Sequence, residues 1–149
     1  MYGILDLGYA SVGKLGATAR RMLDGGVDIL QLRAKQLSAE ELRPHAESIA
    51  PICREFKVPF ILNDHPELVS STGADGVHVG QDDLAVSRAR ELAGPDAIVG
   101  LSTHSVAQAV SALQAGPDYI GFGPLFATPT KPDYPPIGVD GIRTVHELV

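Results

Sequence analysis

Short runs of apolar residues punctuate the chain at Tyr2–Asp6, Asp28–Arg33, Pro59–Asn63, Gly76–Val79, Ala97–Ser102 and Asp118–Phe122. Each is rich in Ile, Val, Leu or an aromatic and is bounded by turn-forming residues, the pattern of a buried strand. Longer stretches of helical character lie between them. Ala17–Leu23 is the first, and Ser38-Ala-Glu-Glu41 is a capping box opening a helix that runs toward Phe56. Pro51 falls inside that second segment and predicts a kink or a break, because proline has no N–H to continue the ladder. Further helices are predicted over Leu84–Leu92, over Ser105–Gln114 and after Gly138. Strands alternating with helices imply parallel pairing through right-handed crossovers, hence an α/β chain of six βα units.

The 149 residues and 15.7 kDa suit one domain with a core of its own. A closed eight-fold barrel takes at least about 200 residues, so six compact units fall short of one. An open doubly wound sheet is the physical alternative, but the first turn lacks its G-x-G-x-x-G fingerprint. Twelve basic against eighteen acidic side chains leave a net charge of −6. With no basic field, the composition argues against nucleic acid and membrane surfaces as partners, while leaving room for a local basic pocket. Cys53 stands alone, which excludes an internal disulfide and a cysteine-based metal site. No apolar run approaches the roughly 20 residues of a membrane span, and Met1 leads into the first strand without a basic leader. The sequence reads as a cytoplasmic domain.

The candidate chemistry gathers at the carboxyl ends of the strands. Gln31, Arg33 and Lys35 share one side of the second strand, opposite Leu30 and Leu32. Three polar side chains on one face of a buried sheet are costly unless they bind something, and Arg and Lys suit phosphate oxygens. A salt-bridged strand end is the competing explanation. Asn63-Asp64 ends the third strand and Gly80-Gln-Asp-Asp83 follows the fourth, so carboxylates on adjacent tips can share a hard cation such as Mg²⁺. Either Asp82 or Asp83 can instead cap the helix beginning near Leu84. Gly100, Ser102 and His104 share one side of the fifth strand, where His104 suits either acid–base work or a structural contact. The sixth strand runs into Gly121-Phe-Gly-Pro-Leu-Phe-Ala-Thr-Pro-Thr-Lys131, whose glycines, hydroxyls and lysine favour phosphate binding. His45, His65, His78 and His146 are scattered, with His78 reading as a satisfied residue of the sheet interior. No G-x-S-x-G elbow or Walker A loop is present.

Five of these segments, in order, resemble the thiamine phosphate synthase family: Gln31-Leu-Arg-Ala-Lys35, Leu62-Asn-Asp64, Gly76-Val-His-Val-Gly-Gln-Asp-Asp83, Gly100-Leu-Ser-Thr-His104 and Gly121 through Lys131. The resemblance implies a TIM-barrel-like (β/α) fold with about six of the usual eight units. It also implies a transferase joining a pyrimidine diphosphate to a thiazole phosphate, by a dissociative route with loss of pyrophosphate. By position, Gln31, Leu32, Arg33, Ala34, Lys35, Asn63, Ser102 and Lys131 match residues that hold the pyrimidine diphosphate. Asp64 and Asp83 match the Mg²⁺ ligands, and Thr128, Pro129 and Thr130 match the thiazole-phosphate contact. Arg33, Lys35, Ser102 and Lys131 are thereby the expected catalytic set. The family continues into a seventh and eighth strand. Residues 1–149 are therefore expected to be a single C-terminally truncated domain with open edges at strands one and six, apolar interior side chains exposed there, and a homo-oligomer covering them. Two other functions are carried forward, a thiazole tautomerase of the same superfamily and a non-catalytic phosphate-ligand-binding fragment.

Overall fold

A computed structural model describes residues 1–128 and 135–149. Six parallel strands lie in the order in which the chain makes them: β1 (Tyr2–Asp6), β2 (Ile29–Arg33), β3 (Phe60–Asn63), β4 (Gly76–Val79), β5 (Ile98–Thr103) and β6 (Tyr119–Phe122). Every predicted strand forms, with starts displaced by no more than one residue. The sheet curls so far that the hydroxyls of Tyr2 on β1 and Tyr119 on β6 meet at 2.7 Å, although those strands stand at opposite ends of its hydrogen-bonded order. The fold is a curled (β/α) half-barrel, as the resemblance implies.

Strand alternation sorts the side chains into two populations. Leu30, Leu32, Phe60, Leu62, Val77, Val79 and Val99 point outward and are fully buried. Against them pack α1 (Leu15–Asp24), through Leu15, Ala19 and Leu23, and α2 (Ala39–Phe56), through Leu42, Ala46, Ile49, Ala50 and Cys53. The capping box at Ser38 forms as predicted: its hydroxyl accepts from the Glu41 backbone N–H, while the Glu41 carboxylate accepts from the Ser38 N–H at 2.9 Å.

Pro51 does not break α2, contrary to expectation, and a second proline, Pro44, lies within the same helix. Both are exposed and seven residues apart, so they share the solvent face, where carbonyls deprived of a donor can reach water. The buried stripe opposite runs on without interruption. The fourth helix, α4 (Val86–Ala93), begins later than predicted. Its N-cap is Ala85, with no side-chain cap, so neither Asp82 nor Asp83 caps it. Between β3 and β4 the chain makes a 3₁₀ turn at Pro66–Leu68 and one helical turn, α3 (Val69–Thr72). The crossovers are completed by α5 (Val106–Ala115), capped by Ser105, and by α6 (Asp140–Leu148).

An aspartate precedes each even-numbered strand. Asp75 Oδ2 accepts from Phe60 N–H at 2.8 Å and Asp118 Oδ2 from Val99 N–H at 2.7 Å, while Asp28 pairs with the N-terminal amine. These contacts pin the entry of each strand to its preceding neighbour. Arg90 reinforces the last of them, donating to the carbonyls of Ala97 and Gly116 and to Asp118 Oδ2 at 3.0 Å.

Candidate active site

The inner face of the curl is polar where the outer face is apolar. Tyr2, Asp6, Gln31, Arg33, Asn63 and His78 share it with Ser102, His104 and Tyr119, and they line a cavity of about 610 Å³, a size that suits a small-molecule ligand. The expected exposure of apolar interior side chains along the open edges is seen on β1, where Ile4 is half exposed beside the partly exposed ring of Tyr2.

Gln31 and Arg33 face the cavity as strand parity predicts. The Arg33 guanidinium pairs with Asp6 across the β1–β2 ladder, in which the two residues are directly opposite. The salt-bridged strand end and the phosphate fork are therefore compatible, since one carboxylate engages only part of a five-donor guanidinium. Leu32 and Ala34 are buried in the helix-side core, so their side chains stay away from the cavity. Lys35 lies beyond the strand tip with Nζ 3.3 Å from Asp64 Oδ2.

Asp64 adopts φ +66°, a left-handed conformation rarely taken by a residue with a Cβ. Its backbone N–H is held by the His78 carbonyl at 2.9 Å, so the strained residue is anchored to β4. Burial raises the Asp64 carboxyl above the usual carboxylate range. The neighbouring Asp83 carboxylate raises it further, and Lys35 offsets part of that rise. Asp83 in turn accepts from Gly80 N–H at 2.6 Å. A Cβ on Gly80 would stand 2.7 Å from that oxygen, so only glycine allows this approach. Two carboxylates from consecutive strand tips thus come together, Asp64 directly following the cavity-lining Asn63. They fit a hard divalent cation that completes its shell with water and phosphate oxygens. Among the described residues no group of three or more His, Cys, Asp or Glu side chains has metal-ligand geometry.

Ser102 lines the cavity and its carbonyl accepts from Gln81 Nε2 at 2.6 Å. His104 also lines it. Its Nδ1 stands 2.5 Å from the Gly123 carbonyl and must carry a proton, because a carbonyl only accepts. Its backbone N–H donates to Gln108 Oε1 at 2.7 Å. His78 is satisfied, as expected of an interior residue, but its partners are Tyr119 and Ser102 and it faces the cavity. Thr128 is described, while Pro129, Thr130 and Lys131 lie outside the described residues. Cys53 is packed on the buried face of α2. Burial, assisted by Asp75, pushes its thiol up to about 11, as befits an inert core residue.

Asp6, Tyr2 and Tyr119 were missed by the sequence reading. Their signal was the same alternation that revealed Gln31 and Arg33: Tyr2 and Asp6 share parity on β1, as do Tyr119 and Gly121 on β6.

A parallel half-barrel that gathers cations, a carboxylate pair and hydroxyls at the carboxyl ends of its strands has the site placement of an enzyme of the barrel class. Residues 1–149 match the model of the family described as thiamine monophosphate synthase. The thiamine-phosphate synthase of Caldanaerobacter subterraneus subsp. tengcongensis is 38% identical over 149 residues, covering 100% of this chain and 70% of that protein. That of Pelotomaculum thermopropionicum is 44% identical over 147 residues, covering 97% of this chain and 67% of that protein. The solved structure of thiamine phosphate pyrophosphorylase from Pyrococcus furiosus superposes with a TM-score of 0.86 at 31% identity, covering 99% of this chain and 69% of that one. The chain belongs to the thiamine monophosphate synthase family and is a thiamine phosphate synthase-like transferase.

Proposed function

We propose that this chain couples hydroxymethylpyrimidine diphosphate to a thiazole phosphate, releasing pyrophosphate and forming thiamine phosphate. The observation that carries the reading is that Arg33 and Asn63 line the cavity while Asp64, next in sequence to Asn63, is paired with Lys35 and interacts with Asp83. Gln31, Asn63 and Ser102 hold the pyrimidine diphosphate within the half-barrel. Arg33, kept in place by Asp6, and Lys35 bind its oxygens, joined by Lys131, and Thr128–Thr130 take the thiazole phosphate. Charge that develops on a departing pyrophosphate is met by these fixed cations, which is electrostatic catalysis without a protein nucleophile. Asp64 and Asp83 would hold Mg²⁺, which supplies Lewis-acid stabilisation of phosphate oxygens when bound. No helix of the described chain is long and apolar enough to cross a membrane. The intended partners are small molecules in the cytoplasm, together with a second copy of this chain covering the sheet edges.

The test is pyrophosphate release in the presence of both substrates and Mg²⁺. Lys131→Ala is expected to abolish it, and unchanged turnover would remove the leaving-group assignment. Tautomer exchange of a thiazole phosphate without pyrophosphate release would assign the tautomerase function instead. Binding of the pyrimidine diphosphate without turnover would assign the non-catalytic one. Light scattering on the active fractions tests the oligomer, which a monomeric mass overturns.

A further inference from the structure

Two inward-facing positions on neighbouring strands, Gly100 on β5 and Gly121 on β6, carry no side chain. Across the curl, β2 and β3 present the buried amides of Gln31 and Asn63 to the same cavity. The two glycines are bare for different reasons. A Cβ on Gly100 would stand 2.2 Å from Tyr119 Cζ and 2.5 Å from His78 Nδ1, so glycine there lets the Tyr119 ring lie close against the sheet. That ring is held by its hydroxyl, 2.7 Å from Tyr2 Oη and 3.1 Å from His78 Nδ1. At Gly121 the protein fills nothing. A Cβ there would find His78 Cε1 at 3.5 Å and Nε2 at 3.8 Å, ordinary contact distances, and the backbone is not left-handed. Packing and backbone would both admit alanine, yet the strand keeps a residue that weakens strands. Glycine inside a strand marks a place where something else comes close, and Gly121 lines the cavity.

We propose that Gly121 and Tyr119 set the specificity for the organic half of the diphosphate substrate: its ring lies against the bare backbone of β6 at Gly121, and its far end is stopped by Tyr119. The inference rests on the reading above, in which Arg33 and Lys35 take the diphosphate at the strand tips, and it deepens that reading. In hydroxymethylpyrimidine diphosphate the diphosphate arm leaves C5 and a methyl group sits on C2, directly across the ring. An arm held at the strand tips therefore sends the methyl toward the amino ends of the strands, where β6 begins with Tyr119. Tyr119 lies two residues, about 7 Å, below Gly121, which leaves depth for one ring and a small substituent. Gly121 thus fixes how closely the ring approaches β6, and Tyr119 fixes how long its C2 substituent can be.

Gly121→Ala puts a methyl group where the ring lies. Calorimetric titration with hydroxymethylpyrimidine diphosphate and with inorganic pyrophosphate, each with Mg²⁺, separates the ring from the anionic end. The variant is expected to keep the urea midpoint of the parent chain. It should bind hydroxymethylpyrimidine diphosphate about tenfold more weakly and pyrophosphate within about twofold of the parent. Equal losses for both ligands, or no loss for either, overturn the proposal. So does a variant that unfolds, since the fold has room for that methyl. Tyr119→Ala tests the other end. Its readout is the ratio of kcat/KM for the C2-methyl substrate to that for a C2-propyl analogue, which a general loss of activity does not move. The parent chain should favour the methyl substrate, and the variant should lower that preference about tenfold. A parent without the preference, or an unchanged ratio in the variant, overturns the role of Tyr119. Where Tyr119→Ala fails to fold, Tyr119→Leu repeats the comparison. A parent chain that binds neither ligand would fail the underlying reading before any variant is made, so the two failures are distinguishable.

Discussion

The two faces of the same six strands are held by different physics. On the outer face, Leu30, Leu32, Phe60 and Leu62 are sealed beneath helices, and each contributes through area removed from water and close packing. On the inner face their sequence neighbours Gln31, Arg33 and Asn63 meet partners chosen one hydrogen bond or ion pair at a time, around space kept open for a ligand. Stability is concentrated on one side of the sheet and chemistry on the other, although the residues alternate along a single chain. Substitution one position away can therefore exchange a folding defect for a functional one.

The largest expected effect breaks the outer face. Phe60→Ala should cost about 3–5 kcal/mol in chemical denaturation, because it opens a cavity in a fully buried layer. A loss below about 1 kcal/mol would mean that the helices collapse readily onto the sheet. Arg33→Ala comes next and probes the place where the faces overlap in kind. It strands the Asp6 carboxylate, which is mostly shielded from solvent, and should cost about 2–3 kcal/mol as well as abolishing coupling. Arg33→Ala combined with Asp6→Asn should recover part of the stability and none of the activity. Ser38→Ala lies outside both faces and should cost about 1 kcal/mol through loss of the α2 cap, with coupling kinetics unchanged.

The smallest effect is one of pH. The Val99 N–H, with help from Arg90, holds the Asp118 carboxyl below the usual carboxylate range. A carboxyl whose folded-state pKa lies below its unfolded value contributes fully above the unfolded value, and that contribution fades as pH falls through the folded one. Asp118→Asn should flatten this acidic limb of the stability–pH curve and leave the neutral-pH active site unaltered. An identical acidic limb in the variant would show that other carboxylates account for it.

The strands were legible because each is a short apolar run between turn residues, and their parallel pairing followed from the intervening helices. The α2 start was legible at Ser38 and Glu41 because a capping box depends only on residues three apart. The persistence of α2 through Pro44 and Pro51 was not, since it depends on which face of the helix meets water. The start of α4 was misplaced for a related reason: Asp82 and Asp83 resemble helix caps, but Asp83 is drawn toward Gly80 and Asp64 instead. Candidate site residues at the strand tips stood out because charge is conspicuous there. Tyr2, Asp6 and Tyr119 did not, because a tyrosine in an apolar run looks like core until the curl of the sheet shows which way it points.

The sequence by itself determined the six strands, their alternating faces and the cluster of charged and polar side chains at their carboxyl ends. All of these follow from local periodicity and side-chain chemistry. Only the tertiary structure decided that Tyr2 and Tyr119, 117 positions apart, share a hydrogen bond, and that the carboxyls of Asp64 and Asp83 come together. The curvature of a sheet is a collective property of every strand and helix packed along it, and no single segment encodes the distance it closes.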